Sequence, residues 1–227
     1  MSVIYACDVG TTLSDPPNFG WVRVERTADG EPPVPVGSRS IEALISSLKR
    51  DFDKGNSVAL GLESPCFLPI PREANDLSRG RTGDGNRSCF APVGAAVTTL
   101  GLHQATWILR RISSATVTHE FTTDWRDWPP GNRRLLLLWE AFVSGPAHSP
   151  DNNPLEDAAT AAVHFLEGER DLSDLNSVTA FPCLSLIHAA ALWSGWTEDV
   201  TGLDKPLLVI RPDDQFQGEI GDYREPA

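Results

Sequence analysis

The chain lacks the segments that mark a secreted or membrane protein. No apolar run approaches the roughly 20 residues needed to cross a bilayer, and the N-terminus has no charged leader before an apolar stretch. The four cysteines are widely spaced and form no CxxC pair: Cys7, Cys66, Cys89 and Cys183. These absences predict that the chain has no signal peptide and no membrane partner, and that it is cytoplasmic.

Basic residues are also scarce. The chain has 19 lysines and arginines against 31 aspartates and glutamates, a formal net charge of −12. Phosphate backbones are bound mainly through Lys and Arg, so this charge opposes non-specific nucleic-acid binding. A nucleic-acid function would therefore require a local basic patch or bound cations.

The length and composition predict a single globular domain. The chain has 227 residues, of which 41% are hydrophobic and 22% charged, values that are ordinary for a folded protein. We expect a core over about residues 3–167, a C-terminal extension of one helix and one strand over 168–212, and a loose tail over 213–227.

Hydrophobic periodicity predicts an α/β fold in which strands and helices alternate. The predicted strands are Val3–Val9, Phe19–Arg26, an edge strand within Glu31–Val36, Ser57–Leu62, Val117–Thr122, Arg134–Val143 and a run at Leu207–Ile210. The predicted helices are Ile41 to about Phe52, Val93–Ile112, one beginning near Leu155, and Leu184–Trp193.

Three acids fall at the functional ends of these elements. Asp8 ends the first strand, Glu63 follows the strand after the first helix, and Asp157 lies in the first turn of a late helix. Ligands of open α/β sheets bind beyond the carboxyl ends of the strands, and carboxylates suit hard cations such as Mg²⁺ or Mn²⁺. Two such ions can stabilise a phosphoryl displacement, which requires that the three carboxylates converge within about 8 Å.

Three motifs carry a resemblance to a known superfamily. They are Tyr5-Ala-Cys-Asp8-Val-Gly10, followed by a strand with Gly20-Trp21; Leu62-Glu63-Ser64-Pro65; and Glu156-Asp157-Ala158. In this order they resemble the ribonuclease H-like superfamily, and are similar to Holliday-junction resolvases and to uncharacterised ribonuclease H-like predicted nucleases. The resemblance covers about residues 3–167.

The resemblance implies a ribonuclease H-like mixed sheet flanked by helices and a metal-dependent nuclease or phosphodiesterase. Asp8, Glu63 and Asp157 would be the catalytic metal ligands. Resolvases carry a further acid one helical turn before the late aspartate, where this chain has Pro154. A fourth ligand would therefore come from the remaining nearby acids: Glu140, Glu156 or Asp151.

Several side chains are predicted to contact a phosphate-bearing substrate. The Asp-Val-Gly-Thr-Thr turn offers backbone amides and the hydroxyls of Thr11 and Thr12. Arginine forks match phosphate geometry, and the long polar loop over residues 70–90 carries several arginines. The predicted substrate-binding set is Thr11, Thr12, Ser64, Arg79, Arg81 and Arg87.

Other interpretations stay open at the level of sequence. Asp8 could be a turn-forming aspartate, and acids in a first helical turn favour the macrodipole whatever the function. The Gly-Thr-Thr turn also resembles the phosphate-binding turn of the actin and sugar-kinase superfamily. The main alternative is a non-catalytic nucleotide-binding or regulatory module. A structural subunit and a homodimer are further possibilities.

Overall fold

The structure is a computed structural model that describes residues 1–27, 33–113 and 119–224. The strands are β1 (Ser2–Asp8), β2 (Gly20–Glu25), β3 (Val36–Ser38), β4 (Ser57–Leu62), β5 (Phe67–Pro69), β6 (Glu120–Thr122), β7 (Leu135–Ala141), β8 (Cys183–Ser185), β9 (Val209–Ile210) and β10 (Gly221–Asp222). The α-helices are α1 (Ile41–Asp53), α2 (Pro92–Ile112), α3 (Pro154–Gly168), α4 (Leu172–Leu175) and α5 (Leu186–Ser194).

Eight of the described strands form one mixed, mostly parallel sheet, so the predicted α/β class is confirmed. The order is β10-β3-β2-β1-β4-β7-β6, and β9 also pairs with β7. β1 runs antiparallel to β2 and parallel to β4, and β4 runs parallel to β7. The carboxyl ends of the three central strands therefore lie at one edge of the sheet, where ligands of such sheets bind.

Alternate residues of the strands face two apolar layers, as the period of two requires. On one face, Val3 and Tyr5 of β1 pack with residues of α1, α2 and α5. On the other face, Ile4 and Ala6 pack with the alanine-rich side of α3. The central strands are buried on both faces, which explains their continuous apolar runs.

Local signals in the sequence explain several element boundaries. The side chain of Ser40 accepts a hydrogen bond from Ala43 N and caps α1, as its position before the periodic run indicates. Strand β4 has the bounds expected from its apolar run. Residues 117 and 118 of the predicted strand at Val117–Thr122, and residues 31 and 32 of the predicted edge strand, lie outside the described residues.

The helix predicted at Leu184–Trp193 is present as α5, and the structure differs from the predictions for the C-terminal part in two details. Residues 183–185 form strand β8, which pairs with β5, because Ser185 caps α5 and the helix starts only after it. The tail over 213–227 is not loose throughout. Strand β10 pairs with β3, and the ring of Tyr223 packs edge-on against Trp21.

None of the helices in the described part of the chain combines the length and the apolar character that crossing a bilayer requires.

Candidate metal centre

The three acids singled out from the sequence converge in space. One carboxylate oxygen each from Asp8, Glu63 and Asp157 lies within 4.8 Å of the other two. The convergence expected from the order of the acids is therefore confirmed. Their roles as metal ligands and catalytic residues stay predictions.

Parallel pairing of β1 and β4 brings Asp8 and Glu63 side by side. Asp8 is the last residue of β1, and Glu63 directly follows β4. The register pairs Cys7 with Leu62, and Glu63 N donates a hydrogen bond to Cys7 O at 2.8 Å. The two side chains therefore leave neighbouring strand ends at the same edge of the sheet.

A close helix–strand contact brings Asp157 to the same edge. Gly20 pairs with Asp8 across β1 and β2, and Pro154, the first residue of α3, packs directly on it. A Cβ at position 20 would lie 2.8 Å from backbone and side-chain atoms of Pro154, so only glycine allows this approach. Asp157 lies in the first turn of α3 and reaches the end of β1.

The orientation of Asp157 is fixed by the segment before its helix. Its Oδ1 accepts a hydrogen bond from Ser149 N at 2.7 Å, and His148 Nδ1 lies 2.7 Å from its Oδ2. The other ring nitrogen of His148 lies 3.1 Å from Asn152 Oδ1. A hydrogen on Nδ1 of His148 would donate to Asp157 Oδ2, so His148 and Ser149 together position the carboxylate.

The electrostatics of the cluster disfavour three negative charges. Burial, with Asp157 nearby, raises the pKa of Asp8 to about 7. Burial, with Asp8 and Asp157 nearby, raises the pKa of Glu63 well above its ordinary value. Burial also raises the pKa of Asp157, and the hydrogen bond from Ser149 N and the nearby His148 oppose that rise. Like charges this close favour a protonated form unless a cation compensates them.

Glu63 provides the observation that tests whether a cation fits. Its Oε2 is buried, and no hydrogen-bond donor among the described residues reaches it. An unsatisfied buried carboxylate oxygen is costly. Three carboxylates, one of them with an unsatisfied oxygen, are the hard oxygen donors that Mg²⁺ or Mn²⁺ takes. The residues present therefore fit a divalent cation.

Glu140 does not join this cluster. Its two oxygens accept hydrogen bonds from the guanidinium of Arg81, each at 2.7 Å, and one also accepts from Cys66 N. Arg81 is itself buried and pairs with Asp84 as well. The prediction that Glu140 is a metal ligand and the prediction that Arg81 binds substrate are therefore wrong, because the two side chains neutralise each other.

Glu156 does not belong to the carboxylate cluster, because hydrogen-bond donors around the start of α3 occupy both of its carboxylate oxygens. Asn153 caps α3 by accepting a hydrogen bond from Leu155 N, and its side-chain amide donates to Glu156 Oε1 at 2.8 Å. Ser149 Oγ and Gln215 Nε2 donate to its Oε2. These hydrogen bonds lower the pKa of Glu156. The prediction that Glu156 is a ligand is wrong, and Asp151 lies exposed outside the cluster.

The remaining residues predicted to contact substrate lie in different environments. Thr11 Oγ1 accepts from Leu13 N within its own turn, and Thr12 is exposed. Ser64 is buried beneath α2, where Gly101 leaves room for it. Arg79 is exposed and pairs with Asp76 at 3.4 Å. Arg87 is near enough to Glu63 to oppose the rise in the pKa of that carboxyl group.

Two residues near the cluster were missed from the sequence. Arg39 opposes the rise in the pKa of Asp8, and it donates to Pro17 O and to Asn153 Oδ1. His148 contacts Asp157 directly. Neither belongs to a motif, because each reaches the site from a loop whose path only the tertiary structure sets. Proximity of His148 to the acidic helix start was the one usable signal.

No family model, no curated protein and no solved structure matches the chain. The site must therefore be interpreted from its own geometry.

Proposed function

We propose that this protein is a divalent-metal-dependent hydrolase that cleaves phosphodiester bonds at Asp8, Glu63 and Asp157. The observation that carries the proposal is the convergence of three carboxylates within 4.8 Å, with one buried oxygen of Glu63 left unsatisfied. In a ribonuclease H-like fold, the acids would lie on the first strand, on the fourth strand and on a late helix. Asp8, Glu63 and Asp157 occur in that order here.

Mg²⁺ or Mn²⁺ bound there would polarise a phosphoryl oxygen and lower the pKa of a bound water. Asp8, Glu63 and Asp157 would together hold the metal, each through a carboxylate oxygen. His148 and Ser149 would hold Asp157 in its orientation, since each donates to one of its oxygens. Such supporting contacts commonly tune the affinity of a metal site.

The test is metal binding and hydrolysis by Asp8→Ala. Mn²⁺ affinity is measured by titration calorimetry, and cleavage is measured with the chromogenic diester bis(4-nitrophenyl) phosphate. We expect Asp8→Ala to lower Mn²⁺ affinity by more than about tenfold, since even supporting residues of metal sites contribute that much, and to abolish cleavage. Glu198→Gln, an exposed acid away from the cluster, is the matched control. Metal-stimulated cleavage that survives in Asp8→Ala rules the proposal out.

The same measurements, with nucleotide titrations added, distinguish the proposed hydrolase from a non-catalytic nucleotide-binding module. A nucleotide-binding module would bind nucleotide with no cleavage, and its Mn²⁺ affinity without nucleotide would be negligible. A hydrolase of the proposed kind binds Mn²⁺ alone, because the ligands are all supplied by the protein.

A further inference from the structure

A cavity adjoins the carboxylate cluster and shares Glu63 with it. It has a volume of about 410 Å³ and lies between the segment after β4, the loop before α2 and the end of β7. This size falls within the range of small-ligand sites. The cavity therefore provides space for a ligand group next to the proposed reacting centre.

The side chains around this cavity are largely apolar. Val97 of α2 and the pair Phe142 and Val143 after β7 supply much of the wall, with Pro65 and Ala91. Arg81 and Glu140 also line it, but they satisfy each other by ion pairing. Sites with apolar walls and a few polar groups bind the apolar parts of small molecules, and the polar groups orient them.

Two features of the cavity favour an anion. Arg87 lines it, and no carboxylate among the described residues lies in salt-bridge contact with its guanidinium. The 21-residue helix α2 also begins here, with no acid in its first turn and no side chain capping it. Free amide groups at a helix start attract phosphate. The buried oxygen of Glu63, which lines the same cavity, would require a cation between it and that phosphate.

The charge of the whole molecule limits the size of the ligand. A net charge of −12 repels a long polyanion, whose binding depends on many contacts to Lys and Arg. A single phosphate group is repelled far less than a polyanion. Arg87 and a bound metal ion could balance its negative charge locally. The site therefore suits a compact ester better than a duplex.

We infer that the substrate is a nucleotide-sized phosphodiester whose planar base occupies this cavity, with its phosphate between Arg87, the start of α2 and the metal-binding carboxylates. The inference rests on the proposed function and specifies its substrate class. In the reaction, a water oxygen forms a bond to phosphorus and the bond from phosphorus to the leaving oxygen breaks. The proton lost by water is balanced by the proton gained by the leaving alcohol, and the products are a phosphomonoester and that alcohol.

Binding tests the cavity without requiring turnover. Calorimetry in Mg²⁺ compares thymidine 5′-monophosphate and adenosine 5′-monophosphate with inorganic phosphate. We expect at least one nucleotide to bind about tenfold or more tightly than phosphate. Val97→Phe, which fills the cavity, should remove this advantage, since a single misfitted group in an apolar pocket is worth about tenfold or more. Ala96→Phe, exposed on the same helix and outside the cavity wall, should keep it.

Hydrolysis of two matched esters shows which part of the substrate occupies the cavity. Thymidine 5′-(4-nitrophenyl phosphate) and methyl 4-nitrophenyl phosphate share a leaving group, but only the first carries a base. Val97→Phe should lower kcat/KM for the first by about tenfold and leave the second nearly unchanged. Arg87→Gln should raise KM for both esters, whereas Arg110→Gln, at an exposed position near the end of α2, should change neither.

The two proposals fail in different ways. If the wild-type protein neither binds Mn²⁺ nor cleaves any of the esters, the proposed function is refuted. Wild-type affinity for nucleotides no greater than for phosphate would overturn the inference about the cavity, whether or not cleavage occurs. An equal loss of kcat/KM for both esters in Val97→Phe would also overturn the inference. The substitution would then disturb the metal centre and not the binding of the base.

Discussion

Single side chains near the proposed site divide into groups that stabilise the fold and groups left free to bind. Arg81 belongs to the first kind. It is buried, it forms ion pairs with Asp84 and Glu140, and its guanidinium lies over the ring of Phe67. Arg87, six positions along the same loop, is exposed, and in our proposal it contacts the phosphate of the substrate. Burial, and not residue type, separates the two arginines.

Replacing Arg81 by methionine should destabilise the protein strongly. Glu140 and Asp84 would remain buried without their partner, and breaking a buried pair in this way costs about 3–5 kcal/mol in free energy of unfolding. Urea denaturation measures this loss.

Arg79→Met, at an exposed position, should change stability by no more than about 0.5 kcal/mol. Adding Glu140→Gln to Arg81→Met should recover part of the loss, because the uncompensated charge is then removed. A fully stable Arg81→Met protein that had lost only hydrolysis would contradict this account and return Arg81 to the substrate site.

At the scale of secondary-structure elements, the candidate site depends on how closely α3 approaches β2. Gly20 makes this contact possible, since the backbone of Pro154 occupies the space that a side chain would take. The Asn153 side chain, which caps α3 through Leu155 N and also donates to Glu156, then fixes where α3 begins. Asp157 therefore reaches Asp8 only if both the strand and the helix start are in place.

Gly20→Ala should displace the start of α3 and weaken metal binding without removing a ligand. Overpacking of this kind costs about 1–3 kcal/mol, and we expect Mn²⁺ affinity, measured by calorimetry, to fall with it.

Gly168→Ala, at the other end of α3, is the matched control, because the new Cβ there meets the flexible side chain of Leu175. It should affect stability without changing Mn²⁺ affinity. Unaltered affinity in Gly20→Ala would show that the contact between Gly20 and Pro154 does not position Asp157.

For the whole molecule, the carboxylate cluster couples folding to pH and to cations. The pKa of Asp8 is raised to about 7 in the folded state, mainly by burial. A carboxyl group whose folded-state pKa is raised contributes stability at low pH that is lost as the pH rises through the folded-state value. The metal-free protein should therefore become less stable between about pH 4 and pH 7.

Asp8→Asn should remove the part of this pH dependence that Asp8 contributes, while Glu63 and Asp157, whose pKa values are also raised, keep theirs. At pH 8 without metal, we expect the variant to be more stable than the wild-type protein by on the order of 2–4 kcal/mol, and at pH 4 the two should be similar. Thermal and urea unfolding across this pH range measure the difference.

Added Mn²⁺ should stabilise the wild-type protein and not the variant, since an ion that binds only the folded state raises its stability. Glu198→Gln should follow the wild-type curve. If the stability of Asp8→Asn and that of the wild-type protein change in the same way from pH 4 to pH 8, the pKa of Asp8 is not raised in the folded state.

The amino-acid sequence by itself determined the features that depend on neighbouring residues. Continuous apolar runs indicated β1 and β4, the spacing of Ile41, Leu44 and Leu48 indicated α1, and Ser40 marked its start. The acids at the ends of these elements could be identified because parallel strands end at one edge of a sheet. The convergence of Asp8 and Glu63 follows from that topology, whereas Asp157 arrives through the contact between α3 and β2.

Only the tertiary structure decided which polar residues are already satisfied. The partner of Glu140 is Arg81, which lies in a distant loop, and no local pattern specifies such a pair. The same holds for His148 beside Asp157 and for the tail strand β10 beside β3. Periodicity reports which side of an element is buried, whereas the pairing of charges and of edge strands depends on how separate elements pack.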